Sequence, residues 1–216
     1  MNSVPLLFRS NQFIAVDKPA GISVHNVEDS TNLIQLLLKQ LKLKTLFPVH
    51  RLDKETSGVQ LLAFDAKSAQ TLATQFQERS VNKFYSGIVR GRIAVTEGSW
   101  SFPLTDKGEG RNNPAGAGKA RVACETKFRV VEASDYFTRC EFQLLTGRQH
   151  QIRKHTAIVK HGLVGDPRYG DPGYNQKIAK LHGTERMLLH SSRIEISGQI
   201  IECPAPSEFG LFFAKN

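Results

Sequence analysis

Residues 50–58 read His-Arg-Leu-Asp-Lys-Glu-Thr-Ser-Gly, and the rest of the chain is organised around this stretch. An apolar run follows at 59–64, so the pattern predicts a strand, a charged loop and a second strand. A carboxylate such as Asp53 in this loop would be held by rigid elements and could face a cleft. Arg51 and Lys54 flank it with positive charge, and the alternative interpretation is an ordinary solvated ion pair.

Length and composition limit the classes of protein to which this chain can belong. The chain has 216 residues, 40% of them hydrophobic and 23% charged, which fits a soluble globular protein with its own core. The net charge of +9 favours a polyanionic partner such as RNA, DNA or an anionic membrane surface. The three cysteines are widely spaced and indicate reduced thiols in the cytoplasm rather than a zinc or disulfide framework. The sequence shows neither a signal-peptide pattern nor an apolar run of the roughly 20 residues needed to span a bilayer.

Local patterns predict the elements around the central loop. Leucines recur at helical spacing over 33–41, after Ser30 or Thr31 as a cap, and Asp65 caps a second helix. Strands are predicted at 13–17, 22–25, 84–91, 125–132, 137–145, 187–190, 194–196 and 200–203. No repeat or linker is visible, which predicts a single domain over residues 1–216.

Two further segments are rich in basic residues. Residues 106–121 combine glycines with lysines and arginines but match no phosphate-loop template, so they predict a surface loop or, alternatively, a basic arm along phosphates. Residues 146–153 read Thr-Gly-Arg-Gln-His-Gln-Ile-Arg and open a helix on which Gln149 and Arg153 share a face. The alternative interpretation of this helix is a basic, solvated face.

These motifs resemble, in the same order, those of the RluA family of RNA pseudouridine synthases. The Lys-Pro-x-Gly turn at 18–21 resembles the first family motif, and residues 50–58 resemble the signature whose Asp is catalytic. Residues 146–153 are the second long match, and the Gly-Asp-Pro-x-Tyr-Gly element at 165–170 resembles a segment that we interpret as a loop buttressing the Arg153 helix.

The resemblance implies a fold and an activity. The fold is the mixed α/β pseudouridine synthase fold, of the α+β type, with a largely antiparallel central sheet, flanking helices and an active-site cleft across the sheet. The activity is that of an isomerase that converts a specific uridine of rRNA or tRNA to pseudouridine by base flipping, without metal or other cofactor. We expect a stand-alone catalytic domain without the N-terminal RNA-binding domain common in the family, acting on RNA as a cytoplasmic monomer away from membranes.

The resemblance also assigns roles to residues. Asp53 is implied to act on the ribose, and the residues leave open whether it is a nucleophile or a base. Five residues are implied to bind substrate or orient Asp53: Arg51, Tyr85, Arg148, Ile152 and Arg153. Arg51 would fill the space of the flipped base or hold its phosphate. Tyr85 and Ile152 would sandwich the uracil, and Arg153 would pair with Asp53.

Three other functions compete with this prediction. A non-catalytic RNA-binding protein would explain the charge but gives no reason for Asp53 and Arg153 together. A metal-independent nuclease or glycosidase would use Asp53 with His50 or His150. A membrane-surface protein would need a basic amphipathic helix with a bulky aromatic face, which the sequence lacks.

Overall fold

The computed structural model describes residues 3–26, 28–29 and 31–213. Within these ranges the chain forms ten strands and four α-helices: β1 (Leu6–Arg9), β2 (Phe13–Lys18), α1 (Leu33–Leu41), β3 (Phe47–Pro48), β4 (Ser57–Ala63), α2 (Ala66–Gln77), β5 (Asn82–Arg90), β6 (Glu97–Trp100), β7 (Thr126–Ala133), β8 (Phe137–Leu144), α3 (Gln151–Ile158), α4 (Pro172–His182), β9 (Leu189–Ile196) and β10 (Gln199–Glu202). The chain divides into two compact units, one of residues 1–83 and 190–204, the other of residues 84–189 and 205–216. The single domain over 1–216 stays a prediction.

The first unit is a sheet covered by a helix on each face. Its strands run in the order β1–β2–β4–β9, with β3 also paired with β4 and β10 with β9. All these pairs are antiparallel except β4 with β9. Successive residues of β2 point to opposite faces, so Phe13 packs in one cluster with Leu72 of α2, and Ile14 in another with Leu33 of α1. Because β4 is buried on both faces, its sequence is an apolar run rather than an alternation.

The start of α1 corrects two predictions. Asn32 caps this helix, with its side chain accepting from the Gln35 backbone and the Gln35 side chain accepting in return. Thr31 was therefore the wrong cap, and Ser30 lies outside the described residues. The strand predicted at 22–25 is also wrong, because its backbone is used differently: the carbonyls of Ser23 and Val24 accept the N–H groups of Leu33 and Ile34.

The second unit is an antiparallel sheet packed against helices. Its strands run in the order β5–β8–β7–β6. Its core joins Ile88 of β5 and Ile178 of α4 to Phe209 and Phe212 of a short 3₁₀ helix near the C-terminus. The sequence prediction missed α4, although an Asp at 171, a Pro at 172 and a Gly at 183 signal its two ends.

The predicted fold class is confirmed: the strands are mostly antiparallel and helices flank them. The strands predicted at 13–17, 125–132, 137–145 and 200–203 are confirmed to within a residue or two. The strands predicted at 187–190 and 194–196 are one continuous strand, β9. The cleft across the sheet stays a prediction.

Candidate active site

The loop that carries Asp53 is tied at its first end by a buried glutamine. The side chain of Gln60 donates to the carbonyl oxygen of His50 at 2.7 Å and accepts the N–H of Leu52 at 3.1 Å. Gln60 is fully buried in β4, and Leu52 is buried beside it. A polar side chain inside an otherwise apolar strand was the signal in the sequence for this role, because buried amides need partners.

His50 has a structural role. The Leu61 N–H donates to its Nε2 at 3.1 Å, and its ring stacks on Phe76 with centroids 4.9 Å apart. Burial, and then the charge of Lys83, lower the pKa of His50 from 6.5 to about 3, so the ring is neutral near pH 7. Since its Nε2 lone pair accepts a backbone N–H, His50 is a poor general base, which disfavours the nuclease or glycosidase alternative in its His50 form.

The buried Lys18 joins the Lys-Pro-x-Gly turn to the loop that carries Asp53. Its ammonium is fully buried and donates to the carbonyl oxygens of Pro19, Ile22 and Lys54 at 3.0, 2.8 and 3.2 Å. The Gly21 N–H donates to the same Lys54 carbonyl at 2.8 Å. The Lys-Pro-x-Gly turn therefore holds Lys54, the residue that follows Asp53. Its turn-like sequence did not predict this role.

Asp53 itself is partly exposed, and Arg51 is exposed. The backbone of Asp53 is held by the Thr56 N–H, which donates to its carbonyl oxygen at 3.1 Å. The ammonium of Lys54 turns to Asp29 at 3.1 Å. The Ser23 side chain, and then Lys54, lower the pKa of Asp29. Asp53 is thus partly exposed on a loop whose backbone is fixed by hydrogen bonds.

Arg153 of the second unit is buried in an ion pair that the sequence prediction missed. Its Nε and Nη2 donate to Oδ2 and Oδ1 of Asp166 at 2.9 and 2.8 Å, and both side chains are 1% exposed. The N–H groups of Arg168 and Tyr169 donate to the same carboxylate, and the guanidinium lies over the Tyr169 ring. The solvated-face alternative for Arg153 is therefore wrong, and the buttressing role of residues 165–170 is confirmed. Its pairing with Asp53 stays a prediction.

The start of α3 is fixed by a second buried amide. Gln151 donates to the Glu125 carbonyl and to the Thr126 hydroxyl, both at 2.9 Å, and accepts from the Thr146 hydroxyl at 2.7 Å. Because the helix begins only at Gln151, the prediction that Gln149 shares a helical face with Arg153 is wrong.

Arg148 and Gln149 lie before the helix and bind the basic loop instead. Arg148 pairs with Asp106 at 3.0 Å, and the Gln149 N–H donates to the same carboxylate at 2.9 Å. The Gln149 N–H, and then Arg148, lower the pKa of Asp106. The loop at 106–121 is irregular apart from a 3₁₀ turn, as predicted. Arg148 is about a third exposed, and its substrate-binding role stays a prediction.

The two residues predicted to sandwich the base are almost buried. Tyr85 on β5 is 7% exposed and lies opposite Phe142 of β8, while Ile152 on α3 is 3% exposed. Their contact with a uracil stays a prediction. Among the described residues, no group of three or more His, Cys, Asp or Glu side chains could hold a metal ion. No helix in these ranges is both long and apolar enough to cross a membrane.

The sequence and the fold of this chain are similar to those of known proteins. Residues 12–158 match the sequence model of the family described as RNA pseudouridylate synthase, a range that includes Asp53 and Arg153. The chain is 32% identical over 201 residues to tRNA pseudouridine synthase C of Haemophilus ducreyi, covering 86% of this chain and 82% of that protein. It is 34% identical over 221 residues to ribosomal large subunit pseudouridine synthase D of Xanthomonas campestris pv. campestris, covering 94% of this chain and 66% of that protein. Its fold is similar to the solved structure of human RNA pseudouridylate synthase domain containing 4, with a TM-score of 0.80 at 23% identity over 96% of this chain and 90% of that one.

Proposed function

Because the chain belongs to the family of RNA pseudouridylate synthases, which are isomerases that act on RNA, we propose that it isomerises one specific uridine of a tRNA or an rRNA, with Asp53 as the catalytic carboxylate. The names of its relatives include enzymes of both RNA classes, so both are candidate substrates. The observation that carries the proposal is the position of Asp53, which is partly exposed on a loop where buried side chains tie the residue on either side of it.

The reaction exchanges one bond of the nucleoside for another. The N1–C1′ bond of uridine breaks, the uracil turns, and C5 joins C1′; C5 then loses a proton, and N1 gains one. Product and substrate are isomers, so the balance calls for no oxidant or reductant. Asp53 either attacks C1′ or removes a proton from the sugar, and a carboxylate can do both.

The remaining residues are proposed to hold the substrate. A stacked base must be flipped out, which costs roughly a few kcal/mol. We assign Arg51, which is exposed beside Asp53, to the vacated space or to the phosphate. Tyr85 and Ile152 contact the faces of the uracil, and Arg153 orients Asp53. Arg148 binds the substrate. The enzyme is proposed to be a monomer and to act in the cytoplasm; three free, buried cysteines are consistent with a reducing compartment.

The test uses total tRNA and rRNA from cells that lack the gene. The purified wild-type enzyme should convert one uridine class, seen as a new pseudouridine in a site-resolved map. Asp53→Asn should bind the same RNA and give no product, since the amide is neither nucleophile nor base. The exposed Asp135, paired with Arg92 at 3.7 Å, supplies the matched control, and Asp135→Asn should be fully active. Product formed by pure Asp53→Asn enzyme would refute the assignment of Asp53.

A further inference from the structure

A buried hydrogen-bonded chain of three residues begins at the first residue of β4, just after the Asp53 loop. Ser57 Oγ and His190 Nδ1 are 2.8 Å apart, and His190 Nε2 lies 2.9 Å from the carbonyl oxygen of Cys203. Ser57 is 3% exposed and His190 1%. Shielding from water makes these hydrogen bonds strong and costly to leave unmade.

The chemical nature of the groups fixes which atom donates in each of these hydrogen bonds. A carbonyl oxygen only accepts, so Nε2 of His190 carries the hydrogen and donates to Cys203. In the neutral imidazole Nδ1 is then the acceptor, and the hydroxyl of Ser57 donates to it. The carbonyl of Cys203 therefore selects the tautomer of His190, and His190 in turn sets the direction of the Ser57 hydroxyl.

The backbone at this point is joined by a very short ladder. Within the described residues, β4 and β9 share only two pairs, Ser57 with His190 and Gly58 with Ser191. Gly58 has a φ of +103°, and a side chain there would overlap the Ser191 carbonyl oxygen. The close approach is possible because residue 58 is glycine, and the Ser57–His190 contact reinforces it with a side-chain bond.

The same end of β4 is connected to Asp53. Ser57 follows Thr56, whose N–H donates to the Asp53 carbonyl oxygen at 3.1 Å. A displacement of Ser57 would therefore move Thr56 and, through this hydrogen bond, the backbone of Asp53. Misplacement of a reacting group by about 1 Å can cost roughly 100-fold in rate.

We infer that His190 is a positioning residue for Asp53, acting through Ser57 to hold the second end of the catalytic loop. The inference rests on the proposed role of Asp53 as the catalytic carboxylate. We assign His190 no contact with the substrate. Its effect is to keep the carboxylate aimed once the RNA is bound, so its loss lowers kcat and leaves RNA affinity and KM nearly unchanged.

Three single substitutions and one double substitution separate a positioning role from an effect on stability alone. Ser57→Ala removes the donor. His190→Gln places an amide donor near the old Nε2, toward Cys203, and loses the acceptor for Ser57, whereas His190→Asn keeps an acceptor near the old Nδ1. We expect kcat to fall about tenfold or more in Ser57→Ala and His190→Gln, and less than about threefold in His190→Asn. Ser57→Ala combined with His190→Gln should be no worse than either alone, because both remove the same contact.

A matched hydroxyl in the same unit provides the control. Ser68 Oγ donates to Asp65 at 2.8 Å at the start of α2, and Ser68→Ala should keep kcat. Melting temperatures and RNA affinities are measured for every variant, and if His190→Gln fails to fold, Ser57→Ala decides. Wild-type kcat in Ser57→Ala, or equal losses in the Asn and Gln variants, would overturn the inference while Asp53→Asn remains inactive. An active Asp53→Asn enzyme would instead overturn the proposed function.

Discussion

Arg153→Lys should destabilise the protein although it keeps the positive charge. The guanidinium makes two parallel bonds to Asp166, of 2.9 and 2.8 Å, with both side chains 1% exposed. A lysine ammonium is a point charge and cannot reproduce this fork. The loss of one hydrogen bond to a charged group is worth about 1.5–3 kcal/mol. For a chain of this size, at roughly 2–4 °C per kcal/mol, the melting temperature should fall by about 3–12 °C.

Arg153→Met extends the same series and should be worse. It leaves the buried Asp166 without its cation, which typically costs about 3–5 kcal/mol. The matched control is Arg129→Lys, because Arg129 pairs with Glu141 at 3.3 Å but is 60% exposed, and exposed pairs contribute only about 0–1 kcal/mol. Thermal melts at pH 7 measure the loss of stability in each variant. Single-turnover rates, taken well below the melting temperature, measure the activity of the folded variants. A melting temperature of Arg153→Lys equal to that of the wild type or of the control would refute the reasoning.

Three other predictions concern the RNA, the base and the pH. RNA affinity should fall steeply with salt, by about 0.7–0.9 in log–log slope per neutralised phosphate, given the net charge of +9; a slope near zero would exclude backbone contacts. If the Tyr85 ring stacks on the base, Tyr85→Phe should keep most activity and Tyr85→Ala should lose roughly 1–3 kcal/mol of base binding. An equal loss of activity in both variants would assign the hydroxyl to the chemistry, and full activity in both would show that Tyr85 is a core residue. Burial, and then the charge of Lys83, lower the pKa of His50 from 6.5 to about 3 in the fold. Below pH 6.5 the unfolded state therefore binds up to one more proton than the folded state, and the free energy of unfolding falls by up to about 1.4 kcal/mol per pH unit. Between pH 6.5 and 5 the wild type should therefore lose up to about 2 kcal/mol more than His50→Gln in urea unfolding, and parallel curves would contradict the burial of a neutral His50.

The structural elements that the sequence predicted are those whose signals are local. The apolar run after residue 58 is β4, and Asp65 caps α2 as expected, with its side chain accepting the Ser68 N–H at 2.8 Å. Periodicity and caps involve residues within a few positions of one another, so they can be read without knowing the fold. The prediction of a strand at 22–25 was wrong because the backbone there caps α1 instead of joining a sheet.

The partner of Arg153 illustrates a different limit. The sequence predicted Asp53 as the carboxylate that its guanidinium binds, and that pairing stays a prediction, whereas the structure shows an ion pair with Asp166, only 13 residues away, that was not predicted. The segment around Asp166 was read as a buttressing loop, but nothing in its spacing showed that this carboxylate faces the helix. Charge complementarity selects a type of partner, and only the packing of the loop on α3 selects which one.

By itself, the sequence determined the family, the fold class and the loop that presents Asp53, because these depend on contiguous motifs and on periodic burial. The tertiary structure decided which polar side chains hold that loop. Lys18 reaches the carbonyl of Lys54 across 36 positions, and His190 reaches Ser57 across 133. A buried donor must find an acceptor somewhere, and the sequence states that need without stating the partner. The partner is whichever group the folded sheet brings within about 3 Å.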